Sequence, residues 1–225
     1  MRHALSRLRH PAWLGTVRRT APLSEIWGHD RGRPIDRFYI ERFLDQHRRD
    51  IHGRVLEIRD NTYTRCFGGG VVRSDILDVF PTNPMATIIT DLAAADAIAS
   101  NVYDCVILTQ TLQYVPEMRA ALVHTHRILR PGGVLLATLP GIARVDLAAQ
   151  ATDYWRFTVA SCTLLFGEVF GAGRATVRSH GNVLVAIATL LGMAQEELRP
   201  RELETSDEAF PVLITVRAMK QASPA

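Results

Sequence analysis

Short apolar runs recur along the chain, each closing on polar or acidic residues: RVLEI (54–58), VVRSDI (71–76), ATIITDL (86–92), YDCVILTQ (103–110) and GVLLATLP (133–140). Runs of this length, rich in β-branched and aliphatic residues and almost unbroken, predict strands covered on both faces. Helical spacing separates them. Residues 35–49, IDRFYIERFLDQHRR, put Ile35, Phe38, Tyr39, Phe43 and Leu44 on one stripe, with Asp36 near the start and Arg48-Arg49 near the end, as the helix dipole favours. Residues 115–133, VPEMRAALVHTHRILRPGG, repeat the stripe with Met118, Leu122, Ile128 and Leu129. Pro116 suits a first helical turn, and Pro131-Gly132-Gly133 is expected to stop the helix and turn into the next strand. Further on, Thr158 reads as the cap of VASCTLLFGEVF (159–170). RATVRSH (174–180) and PVLITVRAMK (211–220) read as two more strands around the apolar helix VLVAIATLLGMA (183–194).

Alternating strands and helices predict an α/β fold, doubly wound and Rossmann-like, with helices on both faces of a mostly parallel seven-stranded sheet. The first crossover is short, because only residues 61–70 separate the first two runs and a parallel connection ordinarily needs a dozen residues or more. Residues 1–33, punctuated by Pro11 and Pro22, read as a basic N-terminal arm, and 34–225 as one domain.

Composition narrows the class. At 225 residues and 47% hydrophobic, the chain suits one α/β domain with extensions. The net charge is +3, yet Arg2, Arg7, Arg9, Arg18 and Arg19 sit in the first twenty residues without an acid. The rest is therefore slightly acidic, and the arm is expected to be a solvated, frayed terminus. Cys66, Cys105 and Cys162 lack metal-type spacing and cannot all pair, which fits a reducing cytoplasm. No secretion signal or bilayer-spanning run is present in this sequence, and no repeat or low-complexity tract. No metal site is expected.

YDCVILTQTLQYV followed by HRILRPGGVLLATLP carries the most specific signal: an aspartate with an apolar fourth strand, then a helix ending RxLxPGG. With this pairing the chain resembles the class I S-adenosylmethionine-dependent methyltransferases over roughly residues 35–220. It looks most like the small-molecule, type 11-like branch. RGRPIDRFYIERFL (31–44) and DYWRFT (153–158) are similar to a bacterial subgroup found beside sugar and polysaccharide enzymes. The resemblance implies S-adenosylmethionine as cofactor, a small-molecule or glycan acceptor, and no nucleic-acid partner. A homodimer is compatible with it.

Ligands of open α/β sheets bind beyond the carboxyl ends of the strands, where strand order reverses. The resemblance therefore implies Asp75 on the ribose hydroxyls, with Asp78 as second choice, and Asp91 with Leu92 on the adenine. Glu57 orders the first turn and the donor's amino end, or else pairs with Arg54 or Arg59. Thr109 and Gln110 open towards donor and acceptor. The family's glycines after the first strand are replaced here by Arg59, Asn61 and Tyr63, and Gly68-Gly69-Gly70 arrives late. Asn61 tolerates a left-handed bend, and Arg59 would meet the donor carboxylate or Glu57. Asp153 is the candidate base and Arg156 the candidate clamp for an acceptor. His180, and Tyr39 in a helix serving as a lid, are further pocket candidates; His124 and His126 read as packing residues. Two other classes stay open. One is a catalytically inactive, methyltransferase-like scaffold for a biosynthetic enzyme, suggested by the missing glycines. The other is a nicotinamide-dependent oxidoreductase, for which GGG stands in the wrong place.

Overall fold

The computed structural model describes residues 15–222. Seven strands form one sheet: β1 (Gly53–Ile58), β2 (Val71–Asp78), β3 (Ile88–Ile89), β4 (Tyr103–Thr109), β5 (Leu129–Pro140), β6 (Ala175–His180) and β7 (Leu213–Met219). Their order is β3-β2-β1-β4-β5-β7-β6. The first five run parallel, and β7 inserts antiparallel between β5 and β6. From β1 the chain winds outward through β2 and β3, then returns to lay β4 on the other side of β1. The strand order reverses there, so a cleft opens above the carboxyl ends of β1 and β4.

Among the described residues six helices cover the two faces: α1 (Ile35–Gln46), α2 (Thr62–Phe67), α3 (Met118–Ile128), α4 (Val159–Phe170), α5 (Val183–Leu191) and α6 (Pro200–Glu204). Side chains alternate across a strand, and β4 shows why its sequence is apolar throughout. Val106 and Leu108 face one core with Leu122, Ile128, Phe166 and Phe170 from α3 and α4. Cys105 and Ile107 face the other with Ile40, Leu44 and Val185 from α1 and α5. The four strand residues are fully buried, each worth roughly 1.5–3 kcal/mol for a side chain of this kind, less for the smaller Cys105.

Local details follow, and in places revise, the sequence pattern. Thr158 caps α4, and Ser161 reciprocates in a capping box. The first crossover is short as expected, reduced to α2 and the glycine neck before β2. Among the glycines, Gly70 turns at φ 69° and its carbonyl accepts from Gly53 N–H, which closes the base of β1. Pro131-Gly132-Gly133 is not a helix stop. α3 ends at Ile128 and β5 begins at once, with the glycines in a bulge against β4 where pairing jumps from Tyr103↔Leu129 to Cys105↔Val134. A Cβ at Gly133 would lie 3.0 Å from the Tyr103 carbonyl, so only glycine passes there. The third run is trimmed to a two-residue edge strand.

Residues 23–34, after the basic stretch, pack against the domain as a strap. Leu23 and Ser24 N–H donate to the Leu191 carbonyl, Gln195 N–H donates to the Arg33 carbonyl, and Pro34 bridges Ala194. Arg31 pairs with Glu197. Arg18 and Arg19 are exposed, and Arg2, Arg7 and Arg9 lie outside the described residues. No helix of the described residues is long and apolar enough to cross a membrane.

Candidate functional site at the carboxyl edge of the sheet

At the end of β1 the chain turns on Arg59, which takes φ 70° while its side chain stays in solvent. The left-handed geometry usually supplied by glycine is thus present without glycine. The turn is latched from both sides: Arg59 N–H donates to the Leu77 carbonyl at 3.0 Å, and the Arg59 carbonyl accepts from Asn83 Nδ2 at 2.7 Å. Glu57 is 2% exposed and pairs with neither Arg54 nor Arg59. Its carboxylate accepts from Tyr63 N–H (3.0 Å), Thr64 N–H (2.8 Å) and Thr64 Oγ1 (2.7 Å), which fastens the start of α2 onto the strand. Burial raises its pKa, and the Thr64 and Tyr63 donors oppose that rise. Arg37 of α1 reaches across to donate to the Tyr63 hydroxyl. Asn61 precedes α2, and its amide reaches Ser74 Oγ at 3.3 Å.

The acid at the end of β2 is Asp78; Asp75, expected at a strand end, lies within the strand. Asp75 sits in mid-strand opposite Leu56, three residues short of the carboxyl end. Its oxygens are occupied by Arg54 Nε (2.7 Å), Arg73 Nε (2.9 Å) and the Tyr103 hydroxyl (3.1 Å). Burial works to raise its carboxyl, but these donors together hold it below the usual range. Asp78 accepts from Phe80 N–H and Asn83 Nδ2, which leaves each carboxylate oxygen a further lone pair. Beside it Val79 and Phe80 are 51% and 63% exposed, an apolar shelf at the strand end. Asp91 caps the short turn Leu92–Ala94 through its contact to Ala93 N–H, and Leu92 is buried beneath it. Thr109 ends β4. Gln110 follows at φ 48°, a second left-handed residue without glycine at the switch in strand order.

Beyond Gln110 lies a cavity of about 190 Å³. Asp36 and Arg37 from the start of α1 line one side, Gln113, Tyr114 and Asp146 another, and Trp27, His29 and Arg144 a third. Desolvation raises the Asp36 carboxyl, against the pull of Arg37, its own backbone donors and His29. Tyr114 donates to Asp146 at 3.1 Å, and burial together with that carboxylate pushes the phenol up to about 12.

Asp153 and Arg156 line this cavity, but neither is free for the roles expected of them. Arg156 grips both oxygens of Asp153 at 2.6 and 2.7 Å and also donates to the Ala143, Arg144 and Trp155 carbonyls. Asp153 further accepts Asp146 N–H, and the Arg156 hydrogen bond holds its carboxyl below the usual range. The pair shapes the loop after β5, each group engaged by the other.

Tyr39 and His180 are drawn elsewhere, into a second cavity of about 460 Å³ between α1 and β6–β7. Tyr39 stacks on His180 and donates to the Leu203 carbonyl. His180 contacts Thr215. His124 and His126 pack against Arg127 and Phe170, as read from the sequence. Among the described residues no cluster of three His, Cys, Asp or Glu side chains is arranged to hold a metal. The sequence reading missed Asp36, His29, Gln113, Tyr114 and Arg144 as cavity residues. The only signal for Gln113 and Tyr114 was their place three and four positions after Gln110, and strap residues give no local signal at all.

A Rossmann-like sheet with acids near its switch point and an adjoining cavity defines the fold class as α/β, doubly wound. The comparisons narrow it. A family model described as "Methyltransferase domain" matches residues 78–137. No curated protein matches the chain. A SAM dependent methyltransferase from Archaeoglobus fulgidus superposes with TM-score 0.56 at 13% identity, over 82% of this chain and 94% of that one. The phosphoethanolamine N-methyltransferase 2 of Haemonchus contortus, solved with S-adenosyl-L-methionine, gives 0.51 at 14%, over 76% and 49%. The [4+2]-cyclase SpnF gives 0.53 at 13%, over 81% of each. The sheet order and these superpositions show a methyltransferase-like fold, and the family match is confined to residues 78–137.

Proposed function

We propose that the protein transfers a methyl group from S-adenosylmethionine to a small molecule or sugar precursor held in the cavity beyond Gln110. The observation that carries this reading is continuity: Gln110 both closes β4 at the switch in strand order and lines the cavity. In this reading Asp78, not Asp75, accepts the ribose hydroxyls, and Val79 and Phe80 flank the adenine. Asp91 and Leu92 meet the adenine edge. The backbone of Arg59 and Asn61 and the start of α2, ordered by Glu57, face the amino-acid end. Thr109 and Gln110 border the reacting group. The cofactor supplies an electrophilic methyl on a sulfonium, so the protein's task is alignment and water exclusion. Asp36, with its carboxyl raised and His29 nearby, is suited to take a proton from an acceptor hydroxyl or amine.

One observation favours the second reading, a non-catalytic scaffold: an arginine in place of glycine at the turn after β1. The fold alone does not decide between them. Calorimetry with S-adenosylmethionine and S-adenosylhomocysteine does. Micromolar binding is expected, weakened at least tenfold in Asp78→Asn. Absence of heat at millimolar ligand in folded protein would leave the scaffold reading standing.

A further inference from the structure

Three polar atoms among the cavity-lining residues are buried without a protein partner: Gln113 Oε1, Arg144 Nη2 and Thr189 Oγ1. Buried polar groups are nearly always satisfied, so three orphans around one cavity call for a ligand or water in common. Their chemistry is specific. Arg144 is anchored through Nη1 to the Ser24 carbonyl at 2.7 Å, and its guanidinium lies 4.4 Å over the Trp27 ring. Trp27 itself is held at φ 63°, where a bulky side chain is rarely found. The strap thus places a strained residue under the Arg144 guanidinium, which the loop after β5 presents to the cavity. Gln113 is oriented by its own amide, which donates to the Gln110 carbonyl at 3.0 Å and so leaves Oε1 as the unused acceptor. An acceptor atom requires a donor from the ligand.

We propose that the acceptor is a small hydroxy- or amino-carboxylate. Its carboxylate is taken by Arg144, and its hydroxyl or amino group donates to Gln113 Oε1 beside Gln110. Charge restricts the choice. Asp36, Asp146 and Asp153 line the space together with Arg37, Arg144 and Arg156; Arg156 is taken up by Asp153, so the unpartnered Nη2 of Arg144 is the guanidinium edge left for one carboxylate. This rests on the methyl-transfer reading for its chemistry, but not for the binding itself.

The test uses ligand-observed NMR on the full chain, with and without S-adenosylhomocysteine. The probes are lactate and 3-hydroxybutyrate, their carboxamides, and butyrate. Each hydroxy acid is expected to bind at least about tenfold more tightly than its amide, as a charge-assisted contact implies, and 3-hydroxybutyrate more tightly than butyrate. Arg144→Gln erases the acid-over-amide preference; Gln113→Leu erases the hydroxyl preference and keeps the acid preference. Equal binding of acid and amide, no binding of any acid, or a preference that survives Arg144→Gln overturns the proposal. Should Arg144→Gln not fold, the wild-type pairs and Gln113→Leu decide it. Acid binding without any S-adenosylhomocysteine binding would sink the donor reading and leave this one intact.

Discussion

Arg59 is the position where the turn after β1 departs furthest from what its backbone asks for. At φ 70° an L side chain costs roughly 1–2 kcal/mol relative to glycine in the folded state. Glycine gives back about 0.5–1 kcal/mol through the greater freedom of its unfolded chain. The Arg59 side chain is exposed, so its removal forfeits little packing. The balance predicts that Arg59→Gly is more stable than Arg59→Ala by about 0.5–1 kcal/mol, with Arg59→Asn between them because asparagine tolerates the left-handed region. Arg59→Val, β-branched, is expected to be the least stable of the series. Urea unfolding resolves these differences, and for a chain of this length 1 kcal/mol moves the melting midpoint by roughly 2–4 °C. If Arg59→Ala matches or exceeds Arg59→Gly, the turn is not held at positive φ and the account of a retained bend is wrong.

Two smaller tests concern the acceptor side. Thr158→Ala removes the side-chain half of the capping box, leaving the residue-158 N–H donating to Ser161 Oγ, and is expected to cost about 1 kcal/mol in unfolding free energy. Asp153→Asn strips Arg156 of its partner at the loop after β5 and is expected to destabilise by about 1–3 kcal/mol near neutral pH, less than a fully buried pair because Arg156 is partly exposed. The Asp153 carboxyl is depressed in the folded state, so its contribution is complete above the unfolded value near 3.8 and disappears as pH falls through the lower folded value. The gap between wild type and Asp153→Asn, followed by denaturation across acid pH, should therefore close below pH 3.8; a gap that closes on raising pH instead would refute the assignment.

The sheet was legible because β4 and β5 are apolar on both faces, and only strands between two helix layers need to be. Thr158 was legible because a cap and its helix are neighbours in sequence. The place of Asp75 was not, because a buried carboxylate in mid-strand looks like a strand end until its partners are known. Asp75 is tolerated there only by Arg54, Arg73 and Tyr103, and Tyr103 lies well downstream. Asp153 and Arg156 were read as a base and a clamp, and spacing alone does not say that they would engage each other. The strap was hidden for a different reason: its partners Leu191, Ala194 and Glu197 come from the far end of the chain.

That strap has a consequence for how such a protein diversifies. Every donor-side contact proposed here falls within residues 57–110, while most of the chamber beyond it is walled by residues 27–37, 140–156 and 189–213. On the methyl-transfer reading, substitutions in those flanking stretches recast which molecule is admitted while the proposed donor ledge stays untouched, so two chains with matching central segments and divergent ends would share a donor and differ in what they modify.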